Sequence, residues 1–94
     1  MAQSVRVATT GNVKEFVDLI QPRYKYGHLT VRTGKKYHKI VQDERSVYGF
    51  VDNQGNIYKA ASWARPAKHA RGNIFSEQQG LEALDAQGFI RYLV

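Results

Sequence analysis

The stretch that most constrains this chain is residues 46–60, SVYGFVDNQGNIYKA. Val47-Tyr48-Gly49-Phe50-Val51 is rich in β-branched and aromatic residues, Asp52-Asn53-Gln54-Gly55-Asn56 is a dense cluster of turn formers, and Ile57-Tyr58-Lys59-Ala60 resumes the extended pattern. Two such runs with a short glycine-containing loop between them predict an antiparallel hairpin. Gly55 is the expected residue at positive φ, a role Asn53 or Asn56 can share. In an even register Tyr48, Phe50, Tyr58 and Ala60 share one face, and Val47, Val51, Ile57 and Lys59 the other. A one-residue slip changes which residues are buried.

The flanking chain predicts a meander around this hairpin. Leu29-Thr30-Val31-Arg32-Thr33, a Gly34-Lys35 turn and residues 36–42 read as a preceding hairpin, so four consecutive strands are joined by short turns. A twisted meander of this kind either stays open or curls toward a barrel. Upstream, Val13, Phe16, Val17 and Ile20 recur at i, i+3, i+4 and i+7, which predicts a helix over residues 13–21 ended by Pro22. Asn12 with Glu15 fits its capping box. Residues 5–8 read as a short strand or a lead-in. Downstream, Pro66 and Gly72 suggest a short helical turn over residues 66–70. Ser76 with Gln79 suggests a second capped helix over residues 77–87, closed by Gly88 and weakened by Gly80. Residues 89–94 read as a last strand at a sheet edge. The expected fold is therefore α+β: one domain with a small antiparallel sheet of four to five strands and two short helices.

Charge points toward function. The chain has 14 cations against 8 acids, a formal net of +6. Residues 21–42 carry Arg23, Lys25, Arg32, Lys35, Lys36 and Lys39, and residues 53–76 carry Lys59, Arg65, Lys68 and Arg71, with no carboxylate in either segment. A basic middle between acidic ends is the pattern of a surface that faces a polyanion, as against an ordinary solvated basic surface. Tyr24 and Tyr26 alternate with Arg23 and Lys25, and such interleaving suits single-stranded nucleic acid, where rings stack on bases and cations follow phosphates. The competing reading packs both tyrosines on the first helix. Trp63, the only tryptophan, is expected to anchor the junction after the hairpin. Its other reading is a partly exposed platform beside Arg65 and Lys68.

Enzyme readings find little support. His28, His38 and His69 stand far apart, with no metal-ligand spacing among them. Neither a GxxxxGK[ST] loop nor a GxGxxG fingerprint occurs, and His38 lacks a partner base. No cofactor is implied. The chain has no cysteine, which suits a reducing cytoplasm. It has no apolar run of the roughly 20 residues a membrane span requires.

The run VYGFVDNQGNIYKAASWARPAKHARGNIF, preceded by YKYGHLTVRTGKKYHKIV, resembles small proteins of unknown activity encoded by tailed bacteriophages. The resemblance covers roughly residues 16–75, and its distinctive part is YKAASW followed by PAKHARGNIF. It implies a phage origin and a location in the host cytoplasm or the virion, and it transfers no site residue.

The expectation from sequence is a non-enzymatic nucleic-acid-binding protein of low sequence selectivity. Lys25, Lys35, Lys36, Lys39, Lys59, Arg65, Lys68 and Arg71 would meet phosphates, and Tyr24 and Tyr26, or Tyr37 and Tyr58, would stack on bases. The alternative is a protein-interaction module, a virion part or a modulator of a host protein, whose basic face meets an acidic partner.

Overall fold

The computed structural model describes residues 7–91. A helix, α1 (Thr10–Ile20), precedes five strands, β1 (Leu29–Thr33), β2 (Tyr37–Gln42), β3 (Ser46–Asp52), β4 (Asn56–Ala60) and β5 (Pro66–Asn73). The strands form one antiparallel sheet in the order β1-β2-β3-β4-β5. The meander stays open, with β1 and β5 as its edges, so the barrel option is not taken.

α1 buries the expected stripe of Val13, Phe16, Val17 and Ile20. Its cap differs from expectation. Thr9 is the N-cap: its hydroxyl accepts the Asn12 N–H at 3.1 Å, and Asn12 Oδ1 accepts the Thr9 N–H at 3.0 Å. Asn12 thus closes a capping box from its far end and the helix starts earlier, because threonine is itself a favoured N-cap and Asn12 at N3 reciprocates its hydrogen bond. The apolar stripe packs on the sheet face that carries Leu29, Val31, Ile40, Val51 and Ile57. Buried His38 lies on this face. Its Nε2 donates to the Ala8 carbonyl at 3.1 Å, and its Nδ1 pairs with the Thr33 hydroxyl at 3.0 Å. Ala8 also donates its N–H to the Asn53 carbonyl at 2.7 Å, so the lead-in to α1 is tied across the sheet. Val7 and Ala8 form no strand, and Val5 and Arg6 lie outside the described residues.

The central hairpin has Phe50 opposite Tyr58 and Val51 opposite Ile57, as an even register requires, and Gly55 takes φ 87°. The expected faces nevertheless fail at its start. Ile40 pairs with Gly49 and Val41 with Val47, so Tyr48 is an extra residue in β3. A bulge of this kind interrupts the alternation. Tyr48 turns to the core, where its ring meets Tyr24 edge-on at 5.2 Å and its hydroxyl donates to the Gly88 carbonyl. Burial pushes the Tyr48 phenol well above the ordinary tyrosine range. Val41 and Val47 then fall on the opposite face with Lys39 and Phe50.

Three downstream expectations are corrected. Residues 66–70 form no helical turn. They belong to β5, where Pro66 takes the first strand position, a place proline tolerates, and Gly72 pairs with Ile57. The exposed backbone edge of β4 outweighs a weak local helix signal. The second helix is absent: only Leu81–Ala83 forms a 3-10 turn. Gln79 and Gly80 both have positive φ, 60° and 89°, which reverses the chain. The Ser76 hydroxyl, the supposed cap, donates instead to Glu82 at 2.7 Å. Of the expected last strand only residues 89–91 are described; there Ile90 bridges Leu84 around a turn held by Asp85, and Tyr92 to Val94 lie outside the described residues.

Gly49 is where this arrangement is tightest. A Cβ there would strike Ile90 Cδ1 and come within 2.8 Å of the Tyr58 carbonyl oxygen. The strand cannot yield on the backbone side, so Gly49→Ala is expected to lower stability by about 1–3 kcal/mol, the usual cost of overpacking. Chemical denaturation checks this, and an unchanged midpoint contradicts the packing described.

Candidate functional site

The sheet face turned away from α1 gathers cations and rings. β1 and β2 pair Thr33 with His38 across a turn closed by the Gly34 N–H to the Tyr37 carbonyl at 2.9 Å. That register sets Arg32 opposite Lys39. The β4–β5 loop, residues 61–65, is pinched by Ala61 and Ser62 N–H groups donating to the Arg65 carbonyl, and it folds over this face. Lys39 Nζ sits 4.2 Å from the Trp63 ring centroid and Arg32 Cζ 5.8 Å from it. Phe50 is 2% exposed, although it lies outside the main core. Tyr37 meets it edge-on at 5.8 Å, and Tyr37 in turn meets Tyr58 at 6.2 Å.

Between the β1–β2 turn and the loop lies a cleft of about 270 Å³, with Phe50, Tyr37 and Ala64 in its lining and Arg32, Lys35, Lys36 and Lys39 around it. No carboxylate lines it. The carboxylates nearby are engaged. Glu44, from the β2–β3 turn, accepts from Arg32 at 2.6 Å and from the Thr30 hydroxyl at 2.7 Å, and these bonds hold its carboxyl below the usual range. The larger cavity beside α1, about 370 Å³, has the opposite sign: Glu15 and Glu77 line it together with Phe16, Leu19 and Phe75. Lys35, Lys36 and Lys39, with the Glu44-paired Arg32 beside them, leave a net positive charge around an aromatic lining that can hold a polyanion, and the acidic groove cannot.

The residues predicted from sequence divide. Lys35, Lys36 and Lys39 meet at the cleft. Arg65 stands on the adjoining loop and Lys68 on β5, both exposed. Lys59 pairs with Gly49 on the Ile90 side of the sheet, and its Nζ donates to the Ile90 carbonyl at 2.6 Å. Burial and the neighbouring Arg71 lower its pKa. Arg71 donates to the carbonyls of Arg91 and His69. These two cations therefore do not join the cleft. Lys25 and Tyr26 sit before β1, at the end of the strand away from Lys35. The five residues of β1 span roughly 14 Å. Tyr26 is 57% exposed and leans on Phe89, with ring centroids 5.0 Å apart. Tyr24 is a correction: it is buried, and its hydroxyl bonds Gln42, so it offers no ring face to a base. Trp63 is a second correction. At 45% exposure it is no core anchor; it lies on the face away from α1, against Lys39 and Arg32. Arg32 was absent from the predicted set, although a hairpin turning at Gly34 places it beside Lys39.

The chain belongs to a family of unknown function, DUF7717, which it matches over residues 3–93. No curated protein and no solved structure matches it. Among the described residues no helix is long and apolar enough to cross a membrane, and no three potential metal ligands cluster.

Asp52, opposite Tyr37 in the β2–β3 pairing, holds the central turn, and its ionisation gives a test. Burial opposes the charge, but hydrogen bonds from the Asn56 side chain and N–H, the Gln54 N–H and the Tyr58 hydroxyl outweigh it and lower the carboxyl pKa. A carboxyl lowered by folding stabilises the fold above its unfolded pKa, about 3.9, and the contribution is lost as pH falls through the folded value. Wild type is expected to lose stability on acidification below about pH 4, and Asp52→Ala to start lower at neutral pH and decline less steeply. Denaturation midpoints against pH check this. Parallel acid declines for the two proteins contradict it.

Proposed function

We propose that the protein binds single-stranded nucleic acid, with low sequence selectivity, in the cleft between the β1–β2 turn and the β4–β5 loop. The observation that carries this reading is the convergence of Arg32, Lys35, Lys36 and Lys39 around an aromatic lining with no carboxylate. Phosphates are met by the four cations, and Tyr37 and Trp63 stand beside them as rings on which bases stack without regard to sequence. Among the described residues no helix is placed to enter a duplex groove, since α1 lies on the other face and its first turn carries no cation. The role is binding and not catalysis. On the resemblance to proteins of tailed bacteriophages, we further propose that this activity belongs to a phage-infected cell, in the host cytoplasm or on the virion.

Salt titration of oligonucleotide binding by fluorescence anisotropy tests the reading. Four phosphate contacts with a single strand give a slope of log K against log salt near −3, since each contributes about 0.7. Lys35→Ala with Lys36→Ala is expected to reduce that magnitude by about 1.4 and to leave the thermal midpoint in place, because both side chains are exposed. Lys25→Ala, at the other end of β1, is expected to leave the slope unchanged. Absence of binding to DNA and RNA strands at low salt overturns the reading and leaves an acidic protein as the partner for this face.

A further inference from the structure

Trp63 separates two cavities of different character. The cationic cleft is lined by Ala64, Arg32 and Lys39 but not by Trp63. Trp63 lines a second space of about 320 Å³, with Ser46, Val47, Ala60, Ala61 and Ser62. Neither Lys39 nor Arg32 reaches this second cavity, although both lie against the indole. The two cations therefore approach Trp63 from outside it. Its walls are small and uncharged, and its polar side chains are the hydroxyls of Ser46 and Ser62. Val47 lines it because the bulge at Tyr48 carries Val47 to this face of the sheet.

A neutral slot with one aromatic wall, next to a cationic cleft, matches the two halves of a nucleotide. We propose that this second cavity is a base slot: one unpaired base, of a strand whose phosphates occupy the cleft, enters it and stacks on Trp63, with Ser46 and Ser62 at its edge. The proposal rests on the preceding reading and deepens it, because it makes the ligand an unstacked base and not merely a polyanion. The cations on the ring support the stack: an indole engaged by Lys39 and Arg32 is held in place before the base arrives. The small walls allow either purine or pyrimidine to enter, and the hydroxyls donate or accept equally, so the slot discriminates single strands from duplexes more than one base from another.

Trp63 is the only tryptophan in the chain, so its emission reports the slot directly. The probes are a short oligothymidylate, the matching oligouridylate, and a strand of equal length and charge with abasic sites throughout. Both base-bearing strands are expected to quench the emission, and a difference between them separates DNA from RNA. The abasic strand is expected to bind with the same salt slope, roughly 5- to 150-fold more weakly, and to leave the emission unchanged. Ala61→Leu, which fills the slot, is expected to give the abasic behaviour with the unmodified strands while keeping the wild-type salt slope and thermal midpoint. Binding of base-bearing strands without change in emission, or equal affinity for the abasic strand, overturns the slot and leaves the cationic cleft intact. Failure of every strand to bind at low salt removes the cleft and the slot together.

Discussion

One extra residue in β3 governs how this small sheet is finished on both faces. Had the alternation run unbroken, Tyr48 would point outward with Phe50, and Val47 would point toward α1. The bulge exchanges them. Tyr48 then completes an aromatic cluster with Tyr24 and Phe89, whose rings meet at about 5 Å, and its hydroxyl fixes the turn at Gly88. Gly49, beside it, leaves the space that Ile90 fills. The segment after β5 has little regular structure of its own. It is held by these contacts and by Glu82, which accepts the Asn73 N–H at 2.9 Å and the Ser76 hydroxyl.

The two faces are buried by different means. The face under α1 is a conventional core, with Phe16, Ile20, Ile40, Val51 and Ile57 packed in one cluster. Among the described residues no helix covers the opposite face, yet Val41 and Phe50 are buried there. Burying one such side chain contributes roughly 1.5–3 kcal/mol. A loop of five residues, the long arm of Lys39 and the rings of Tyr37 and Tyr58 provide the cover. Cationic side chains suit this duty because their stems are apolar while their heads remain in water. The same arrangement leaves an exposed indole beside Lys39 and the Glu44-paired Arg32, which the packing of the fold alone does not require and which we propose as part of a surface for a partner.

The parts of the fold that were legible in the sequence are those in which local pattern and tertiary demand agree. The stripe from Val13 to Ile20 has a single helical solution, and the turn residues 52–56 have a single hairpin solution. Residues 66–72 were misread because Pro66 and Gly72 punctuate a helix as readily as they bound an edge strand, and only the open edge of β4 decides between them. Residues 76–88 were misread because a capping box is a spacing of residue types. Ser76 and Gln79 have that spacing, but Ser76 is engaged by Glu82. At the site, Lys35, Lys36 and Lys39 were legible from charge segregation. The separation of Lys59 from Lys39 was not, because it depends on register carried across three strands. The partial exposure of Trp63 was not legible, because nothing local announces that the β4–β5 loop folds over the face away from α1, against Lys39 and Arg32.

The central claim is that the face opposite α1, and no other surface, receives the ligand. Amide chemical-shift mapping during titration with a short single-stranded oligonucleotide tests it most directly. The account predicts perturbations confined to Arg32, residues 34–39 and the loop at 61–65, with α1 and residues 74–79 silent. Perturbations centred on the acidic groove between α1 and Phe75, or on the Tyr26–Phe89 end of the molecule, would contradict it.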